Sequence, residues 1–556
     1  MKAFALLFLP LLAAAGPPTT AIKVNQAGYL PGTPKIAIVS SPAKEFLVRR
    51  VSDDAEVLRH ALSNPGPDPD TGDTVQHADF TKITQPGDYY LDVPGVGRSW
   101  PFSVKKDVYA RALYLAARAF YGQRCGIAVD LGTEFAGYRY EACHRAAAWH
   151  ASSGKSGPQQ STKGWHDAGD YGRYVVNSGL STGTLLWAWE LYQPRLTLYI
   201  PESSNTTPDL LDEIRWNLEW MLSMQDSADG GVWHKQTSER FAGFVMPDKD
   251  TLPSVVIGTG SEPYKSSCAT ADFAAVLAIA ARVYKPLDAP FAARSLRAAE
   301  HAWTWLAAHP NVLFRNPPGI LTGEYGDRDC SDETLWAAAE LWRTTRAARY
   351  LAYFLEHYRK HRITDPPNWP NVAPMALWTY ALAKSPADAG AVKAIREDSL
   401  RAAEDILARM ESNGYRIALS TKDYVWGSNG VLANYGVQLL VANALQSDRR
   451  YVEAALENLH YLLGRNTFSV SFVTQLGANP YRNPHHRPSG ADTNHEPWPG
   501  LLSGGPNQRK QDPAMKKLGS LPPARMFLDE QESYASNEIA INWQAPLVFL
   551  LAGVSR

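Results

Sequence analysis

The residues best suited to chemistry lie in the segment Gly-Trp-His-Asp-Ala-Gly-Asp-Tyr-Gly at 164–172. Asp167 and Asp170 share a glycine-containing turn that can aim both carboxylates at one point. Gly169 would let a substrate or a water molecule approach the backbone closely. A base that activates water needs such an arrangement. The same residues could also form a solvated aspartate-rich turn, because short Asp/Gly motifs are common.

Two downstream segments carry complementary groups. Residues 471–479 lead into Asn-Pro-His-His-Arg-Pro at 483–488, which supplies His485 and Arg487. Residues 527–540 contribute Asp529 and Glu538 from an apolar-flanked segment. Together with the aspartate turn these residues suit acid–base cleavage of a glycosidic bond, which takes one carboxylic acid and one carboxylate.

The three segments resemble the signatures of glycoside hydrolase family 9 cellulases, in the branch with an N-terminal immunoglobulin-like domain. The resemblance covers essentially the whole mature chain. Residues 471–487 fit the family's His-bearing signature at every constrained position. Residues 527–538 fit the second signature, but Gln544 stands where asparagine is expected. Because Gln544 lies beyond Glu538, this departure is expected to affect local side-chain packing more than the catalytic chemistry.

The resemblance implies an inverting mechanism with a division of roles among three carboxyl groups. Asp170 would be the general base that deprotonates the attacking water, and Asp167 would help to hold that water. Glu538 would be the general acid that protonates the leaving oxygen. Inversion by direct displacement requires the two acting carboxyl groups to lie roughly 6.5–9.5 Å apart.

The resemblance also assigns a role to the histidine segment. His485 and Arg487 would hydrogen-bond sugar hydroxyls beside the scissile bond, although a lone histidine is often a satisfied core residue. Asp529 would support the hydrogen-bond network between acid and sugar without donating the proton. Trp426 and Tyr534 are the candidates for stacking on sugar rings, and each could equally be a core aromatic.

Four residues form a possible metal site. A Cys2His2 set can close a tetrahedral zinc site, and here it would consist of Cys125, Cys143, His144 and His166. Spacing alone leaves open a Cys125–Cys143 disulfide or plain buried residues. The resemblance implies a structural zinc ion at these four positions. The other two cysteines, Cys268 and Cys330, are expected to be free, buried thiols.

A second metal site is suggested at the start of one predicted helix. Asp209, Asp212 and Glu213 resemble a calcium-binding loop of the family. Acidic residues near the positive end of a helix dipole would explain the same pattern without a metal.

Composition and the first residues restrict the class of protein. The chain has 556 residues, 45% of them hydrophobic, and a net charge of −1, so no basic surface for nucleic acid or an anionic membrane is expected. The expected partner is a β-glucan polysaccharide or oligosaccharide, bound by a monomer. Residues 1–15 have the pattern of a secretory signal, which predicts a secreted or periplasmic protein.

The pattern of elements changes once along the chain. Short β-type runs over 21–105 predict a small β-sandwich. Residues 23–29 resemble the immunoglobulin-like module of the family branch, which would act as a brace or as a glycan-binding module. Residues 106–556 carry apolar residues at helical spacing, and the resemblance implies an (α/α)6 barrel, so the fold class is mainly α. The predicted helices are Val108–Tyr121, Leu180–Leu191, Leu210–Met224, Phe273–Tyr284, Ser295–Ala308, Glu333–Arg359, Ala373–Lys384, Ser399–Glu411, Val437–Leu445 and Tyr451–Leu463.

The first hypothesis is therefore an inverting endo-1,4-β-glucanase that acts on cellulose or related β-glucans. An exo-acting hydrolase of cello-oligosaccharides or chitosan oligosaccharides is the alternative within the family. A non-catalytic glycan-binding protein is the alternative from another class. A catalytic zinc centre would require activity to vanish on gentle chelation without unfolding.

Overall fold

Short runs of β-branched and aromatic residues at the start of the chain form two antiparallel sheets, ordered β1-β2-β6-β5 and β4-β3-β7-β8, with β9 paired to β7. The computed structural model describes residues 16–385 and 387–555, so the predicted signal segment lies outside the described residues. Tyr29, Phe46, Phe80 and Phe102 lie in the core of this sandwich. The strands are β1 (Ile22–Lys23), β2 (Ile36–Val39), β3 (Glu45–Arg50), β4 (Glu56–Ala61), β5 (Gly66–Asp68), β6 (Asp73–Asp79), β7 (Gly87–Val93), β8 (Gly97–Arg98) and β9 (Phe102–Val104).

The rest of the described chain is mostly helical. Its helices are α1 (Ala110–Gly122), α2 (Val175–Tyr192), α3 (Asp209–Ser223), α4 (Ser267–Tyr284), α5 (Ala289–Ala308), α6 (Ser331–Thr345), α7 (Ala348–His357), α8 (Ala373–Ala381), α9 (Ala389–Ser412), α10 (Ser428–Leu445), α11 (Arg449–Leu462), α12 (Arg487–Ala491), α13 (Tyr534–Asn537) and α14 (Ile541–Val554). Helices α14, α2, α4, α6 and α8 pack in succession, α10 packs against α14, and α9 contacts both α8 and α10. Their outer partners are α1, α3, α5, α7, α9 and α11. The fold is an (α/α)6 barrel.

The inner helices α2, α10 and α14 are apolar around most of their circumference because neighbours cover them on every side. Helix α4 is long and apolar enough to cross a membrane, yet 94% of that window is buried inside the protein. It is therefore the kind of core helix that a soluble domain also contains.

Several helix predictions differ from the structure. The helices predicted over Ser399–Glu411 and Val437–Leu445 begin earlier, at Ala389 and Ser428. The segment Glu333–Arg359 was predicted as one helix, but α6 ends where Arg346 adopts a left-handed conformation with φ of 62°. Helix α14 was not predicted, because it is apolar around its whole circumference and shows no period of 3.6 residues.

The prediction of free thiols at Cys268 and Cys330 is wrong, because these two cysteines form a disulfide. The bond links the first turn of α4 to the residue before α6. The sequence contained no indication of this pairing, since 62 residues separate the partners and only the folded barrel brings α4 and α6 together. Cys125 and Cys143 are free and buried.

The sandwich is tied to the barrel through polar contacts at several points. The Gln26 side chain donates to the Ser469 carbonyl at 2.9 Å and accepts from the Asn479 N–H at 2.7 Å. Asp68 accepts from the Gly414 N–H at 3.0 Å. These contacts fit the predicted role of the sandwich as a brace.

Short strands in the long loops of the barrel support the aspartate turn. They are β10 (Val129–Asp130), β11 (Arg139–Tyr140), β12 (Ala147–Trp149), β13 (Pro158–Gln159), β14 (Arg173–Tyr174), β15 (Lys235–Thr237) and β16 (Ser254–Ile257). Five of them form one sheet in the order β13-β12-β16-β15-β14. Strand β14 begins directly after the turn and leads into α2, which fixes where the turn leaves the barrel.

Candidate active site

A cavity of 1140 Å³ lies at the mouth of the barrel and brings the three sequence segments together. Its walls include both aspartates of the turn and the glutamate of the C-terminal segment. Of the predicted site residues, it is lined by Asp167, Asp170, His485, Arg487, Trp426, Tyr534 and Glu538.

Backbone pairing holds the segments in register. Ala168 and Ala540 form an antiparallel bridge, and His485 and Glu538 form a parallel one. The Ile541 N–H donates to the Asp167 carbonyl at 2.8 Å. The aspartate turn, the histidine segment and the acid-bearing segment are thus fixed by hydrogen bonds between main chains, which cannot be removed by side-chain motion.

Gly169 has a different role from the one predicted. A Cβ atom at this position would lie 1.9 Å from the carbonyl oxygen of His485. The close approach to the glycine backbone is therefore made by the histidine segment and not by substrate or water. Only glycine allows the two segments to pack this closely.

Asp167 is buried and held by two donors. Its carboxylate accepts from the Asn177 amide at 2.6 Å and from the Tyr325 hydroxyl at 2.7 Å. Burial raises the pKa of Asp167 to about 7, with a smaller contribution from the charge of Asp170, while the two donors oppose the rise. Neither donor lies in the aspartate motif, so the motif alone does not predict these two contacts.

Asp170 is buried at the same wall but is held more loosely. Its carboxylate accepts the Gly172 N–H at 3.0 Å. A Cβ atom at Gly172 would lie 2.8 Å from this carboxylate and 2.7 Å from the Tyr174 hydroxyl. Since Asp170 lines the cavity, its remaining lone pairs face the space in which a water molecule and a substrate would lie.

Glu538 lies on the cavity wall in surroundings that favour its neutral form. Burial raises the pKa of Glu538 well above its ordinary value, and the charges of Asp170 and Asp167 raise it further. The Arg487 guanidinium and the Gly169 N–H oppose the rise. One carboxyl group of the pair is thus biased toward holding a proton, as a general acid requires.

The ring of His485 is fixed in one orientation. Its Nδ1 lies 2.7 Å from the Gln531 carbonyl, and its edges contact Phe244 and Tyr534 at 5.1 and 5.6 Å between ring centres. Burial lowers the pKa of His485, which favours the neutral ring. With Nδ1 donating to the carbonyl, Nε2 of the neutral ring is an acceptor.

Arg487 is engaged mainly with backbone. It donates to the Gly169 carbonyl at 2.8 Å and to the Ala242 carbonyl at 2.9 Å. Its guanidinium also lies 5.7 Å from the ring centres of Phe241 and Phe244. Arg487 therefore has a positioning role, because these bonds fix the aspartate turn. Its contact with sugar hydroxyls stays a prediction.

Asp529 is not among the residues that line the cavity. Its carboxylate accepts the backbone N–H groups of Arg482 and Asn483 at 2.8 and 2.7 Å. These bonds hold the loop that leads to His485. Any effect of Asp529 on the acid–sugar network would therefore act through this loop.

Aromatic side chains line a large part of the cavity. The rings of Trp426 and Tyr534 lie 5.5 Å apart and are tilted by 39°, and Trp426 is 36% exposed. Trp369, Trp543 and Phe241 also line the walls but were not predicted. A tryptophan within the proline-rich run 366–370 was a signal that could have identified Trp369.

The predicted zinc ligands converge in the structure. The ligand atoms of Cys125, Cys143, His144 and His166 all lie within 4.8 Å of one another. The His144 Nε2 is 3.2 Å from Asp250, and its buried Nδ1 has no hydrogen-bond partner. Two free thiols and two imidazoles around one point fit a tetrahedral zinc ion, and the aspartate beside His144 is the partner that metal-binding histidines usually have. The set can hold a metal.

The carboxylates of the three residues predicted for calcium are not gathered around one point as the predicted zinc ligands are. Glu213 is fully buried against Arg124, with oxygen–nitrogen distances of 3.0 and 3.1 Å, and accepts from the Trp165 indole at 2.8 Å. Asp209 accepts the Leu198 N–H at 2.6 Å. Glu213 is thus paired with a cation, whereas one buried carboxylate oxygen of Asp212 has no hydrogen-bond partner among the described residues, and calcium binding at these three residues stays a prediction.

Buried carboxylates without a hydrogen-bond partner also occur on the inner helices α4 and α6. Both oxygens of Asp272 and both of Glu333 are buried without a hydrogen-bond partner among the described residues. Burial raises the pKa of each group, and the neighbouring Asp332 raises both further. The two acids lie on different helices, α4 and α6, so no single sequence motif connects them.

The departure at Gln544 leaves the packing intact. Its amide accepts the Leu502 N–H at 2.9 Å and donates to the Ala116 and Gly500 carbonyls at 2.9 and 2.8 Å. All three contacts are buried, and they tie α1 to the segment before the acid.

Almost the whole chain is similar to known proteins. The sequence model for glycosyl hydrolase family 9 matches residues 109–551, and the model for the cellulase N-terminal ig-like domain matches residues 18–98. Endoglucanase D of Acetivibrio thermocellus is 37% identical over 96% of this chain and 83% of its own length. A xyloglucan-specific endo-beta-1,4-glucanase of Bacteroides ovatus is 34% identical over 97% of this chain and 94% of its own length. The solved structure of AaCel9A with cellobiose-like isofagomine superposes with a TM-score of 0.88 at 32% identity, covering 96% of this chain and 99% of that one.

Proposed function

Since the chain belongs to glycosyl hydrolase family 9, we propose that it hydrolyses β-1,4-glucosidic bonds within cellulose or related β-glucans by a single inverting displacement. The enzyme is a glycoside hydrolase. One observation carries the proposal: Asp170 and Glu538 line the same cleft, and the surroundings of Glu538 favour its protonated form. Two carboxyl groups in different protonation states are what the reaction needs.

The proposed reaction is one displacement at the anomeric carbon. Asp170 accepts a proton from water while the water oxygen forms a bond to that carbon. The glycosidic bond breaks as Glu538 gives its proton to the leaving oxygen. Asp167, held by Tyr325 and Asn177, fixes the turn and helps to orient the water. The distance between the two acting carboxyl groups stays a prediction of roughly 6.5–9.5 Å.

The proposed substrate follows from the cleft and from the relatives. Trp426 and Tyr534 offer apolar faces on which pyranose rings can stack, and His485 offers an unprotonated Nε2 to a sugar hydroxyl. The relatives named above are an endoglucanase and a xyloglucan-specific endo-beta-1,4-glucanase, which favours β-1,4-glucan main chains and cleavage within the chain. The exo-acting alternative differs only in whether the cleft accepts a chain end or a chain interior.

We further propose that the Cys2His2 set holds a structural zinc ion. Four protein ligands leave no open position for water, so the ion would supply rigidity and not chemistry. Because His166 directly precedes Asp167, the ion would fasten the aspartate turn to Cys125 at the end of α1. The alternative of a catalytic zinc centre is disfavoured by this closed ligand set.

Export is also proposed. The apolar segment at 1–15 has the pattern of a signal. The Cys268–Cys330 disulfide supports an oxidising compartment, because such bonds persist outside the cytosol.

The proposed function is tested by the products released from soluble carboxymethyl cellulose and from cellopentaose. An endo-acting enzyme lowers the viscosity of the polymer quickly while it releases few reducing ends. An exo-acting enzyme releases reducing sugar with little loss of viscosity. Absence of release from both substrates, with zinc-loaded and folded protein, would contradict the proposed function.

A further inference from the structure

A second cavity, of 290 Å³, lies beside the cleft. Its walls come from the loop after α7, from the middle of α9, from the turn before α10 and from α10 itself. It is lined by Ile363, Thr364, Asp365, Arg401, Asp405, Arg409, Ser420, Lys422 and Tyr435. Asp365 and Lys422 also line the cleft, so the two spaces share a wall.

The shared wall is made of solvent-exposed side chains. Lys422 and Asp365 form an ion pair at 2.8 Å, with 66% and 49% of their side chains exposed. An exposed pair of this kind contributes little free energy and is readily exchanged for contacts with water or a ligand. A group attached to a chain in the cleft would therefore meet exposed side chains, and not buried packing, where the two spaces adjoin.

The charges of the second cavity favour a neutral ligand. Each of its three cations already faces a carboxylate: Lys422 faces Asp365, Arg401 pairs with Asp398, and Arg409 lies 3.6 Å from Asp423. A phosphate or a carboxylate would therefore meet no net positive potential.

Its donors and acceptors favour a ligand with hydroxyl groups. Asp405 has no ion-pair partner among the described residues and offers free acceptors. Arg401 and Lys422 offer N–H donors at the opening, and Ser420 and Thr364 offer hydroxyls. Sugar hydroxyls both donate and accept hydrogen bonds, so they can satisfy such a mixed lining.

We propose that the second cavity is a side pocket that accepts one glycosyl branch of a substituted β-1,4-glucan whose main chain lies in the cleft. Its volume equals that of about ten water molecules at roughly 30 Å³ each, which is enough for a single sugar ring. The position of the branch is set by Lys422, four residues before the stacking candidate Trp426 in the same wall. This inference rests on the proposed function, because the main chain must occupy the cleft.

Two single variants test the side pocket, Arg401→Ala and Asp405→Ala. Both residues are exposed on α9 and lie outside the proposed catalytic machinery. Arg396→Ala is the matched control, because Arg396 is also exposed on α9, bonds Gln446 and lines neither cavity. Each protein is assayed on xyloglucan as the branched probe and on carboxymethyl cellulose as the probe without glycosyl branches.

Loss of one or two hydrogen bonds should raise KM on xyloglucan by about threefold to tenfold in the two pocket variants. KM on carboxymethyl cellulose should not change, and the control should match the wild type on both. Equal effects on both substrates, or no effect on either, would overturn the side pocket while leaving the proposed function intact. Wild-type protein that cleaves neither glucan would overturn the proposed function and the side pocket together.

A binding measurement covers the case in which a pocket variant folds poorly. In the Glu538→Gln background, calorimetry with a branched and an unbranched oligosaccharide of the same main-chain length should show tighter binding of the branched one. Equal affinities for the two would contradict the side pocket.

Discussion

Ala168 and Ala540 pair through an antiparallel backbone bridge, and each lies two residues from a carboxylate that we propose to be catalytic. The bridge fixes the backbone positions from which the side chains of Asp170 and Glu538 extend. Side-chain rotation can adjust that distance but cannot separate the two walls of the cleft. Preorganisation of this kind is what a displacement reaction with two participating carboxyl groups requires.

Replacement of the proposed acid should depend on the leaving group. Glu538→Gln cannot donate a proton, so kcat on glucan should fall by about 10²- to 10⁴-fold. The loss should be much smaller for a dinitrophenyl β-cellobioside, whose leaving group needs no protonation. The measurement is kcat on both substrates, with Asp170→Asn as the comparison, because loss of the base should impair both equally. Equal losses on both substrates for Glu538→Gln would assign the acid to another residue.

The same residue should govern the alkaline side of the pH profile. Because burial raises the pKa of Glu538, the acid stays protonated to a higher pH than an ordinary glutamate, and activity should fall as pH rises through this value. A raised pKa in the fold also means that the contribution of Glu538 to stability is complete at low pH and is lost as pH rises through the folded pKa. Glu538→Gln should therefore gain Tm relative to the wild type as pH rises. Parallel Tm curves between pH 4 and pH 9 would be evidence against a buried, neutral Glu538.

Gly169 should not tolerate even a methyl group. In Gly169→Ala the Cβ atom would collide with the His485 carbonyl, so the turn and the histidine segment would have to separate. We expect a loss of about 1–3 kcal/mol in the free energy of unfolding and about 10²-fold in kcat. Gly519→Ala is the control, because nothing lies within 4 Å of a Cβ atom at that position. A Gly169→Ala enzyme with wild-type kcat would show that this contact does not position the site.

Trp426 should act on binding more than on the chemical step. Loss of a stacking face worth about 1–2 kcal/mol corresponds to a rise in KM of about fivefold to thirtyfold, with kcat little changed. Tyr199→Ala is the control, since Tyr199 is 67% exposed and does not line the cleft. If Trp426→Ala left KM unchanged, the cleft would bind its substrate through other walls.

Zinc removal should affect stability before activity. Metal analysis should find one zinc ion per chain, and Cys143→Ser should lower the free energy of unfolding by several kcal/mol through loss of a ligand. The remaining folded fraction should keep part of its kcat, because the proposed ion touches no substrate and acts only by fastening the turn that carries Asp167 and Asp170. A zinc-free protein with a Cys125–Cys143 bond in its peptide map would contradict this part of the account.

Many helices and strands of this fold could be predicted because their sequences show the apolar periodicity of the element that they form. Most outer helices show an apolar stripe, and the immunoglobulin-like strands alternate with turn residues. Helix α14 could not be found in this way, since burial on all sides removes the period. The end of α6 was also missed, because Arg346 adopts a left-handed conformation with no glycine to mark it.

Site residues that lie within sequence motifs could be predicted. Residues that only the folding of the barrel brings to the site could not. Asp167, Asp170 and Glu538 belong to segments with recognisable composition, and the cleft brings them together. Tyr325 and Asn177 hold Asp167 from other loops and helices, so only the folded chain reveals them. The same reason explains why the disulfide between α4 and α6 was missed.

The central claim is that Glu538 and Asp170 act from opposite sides of the scissile bond with one water molecule between them. It is tested most directly by proton NMR of the products during the first minutes of cellopentaose hydrolysis. The account predicts that the newly formed reducing ends appear first as the α-anomer and only later equilibrate to the β-anomer. Initial release of the β-anomer would demonstrate net retention and contradict the single displacement.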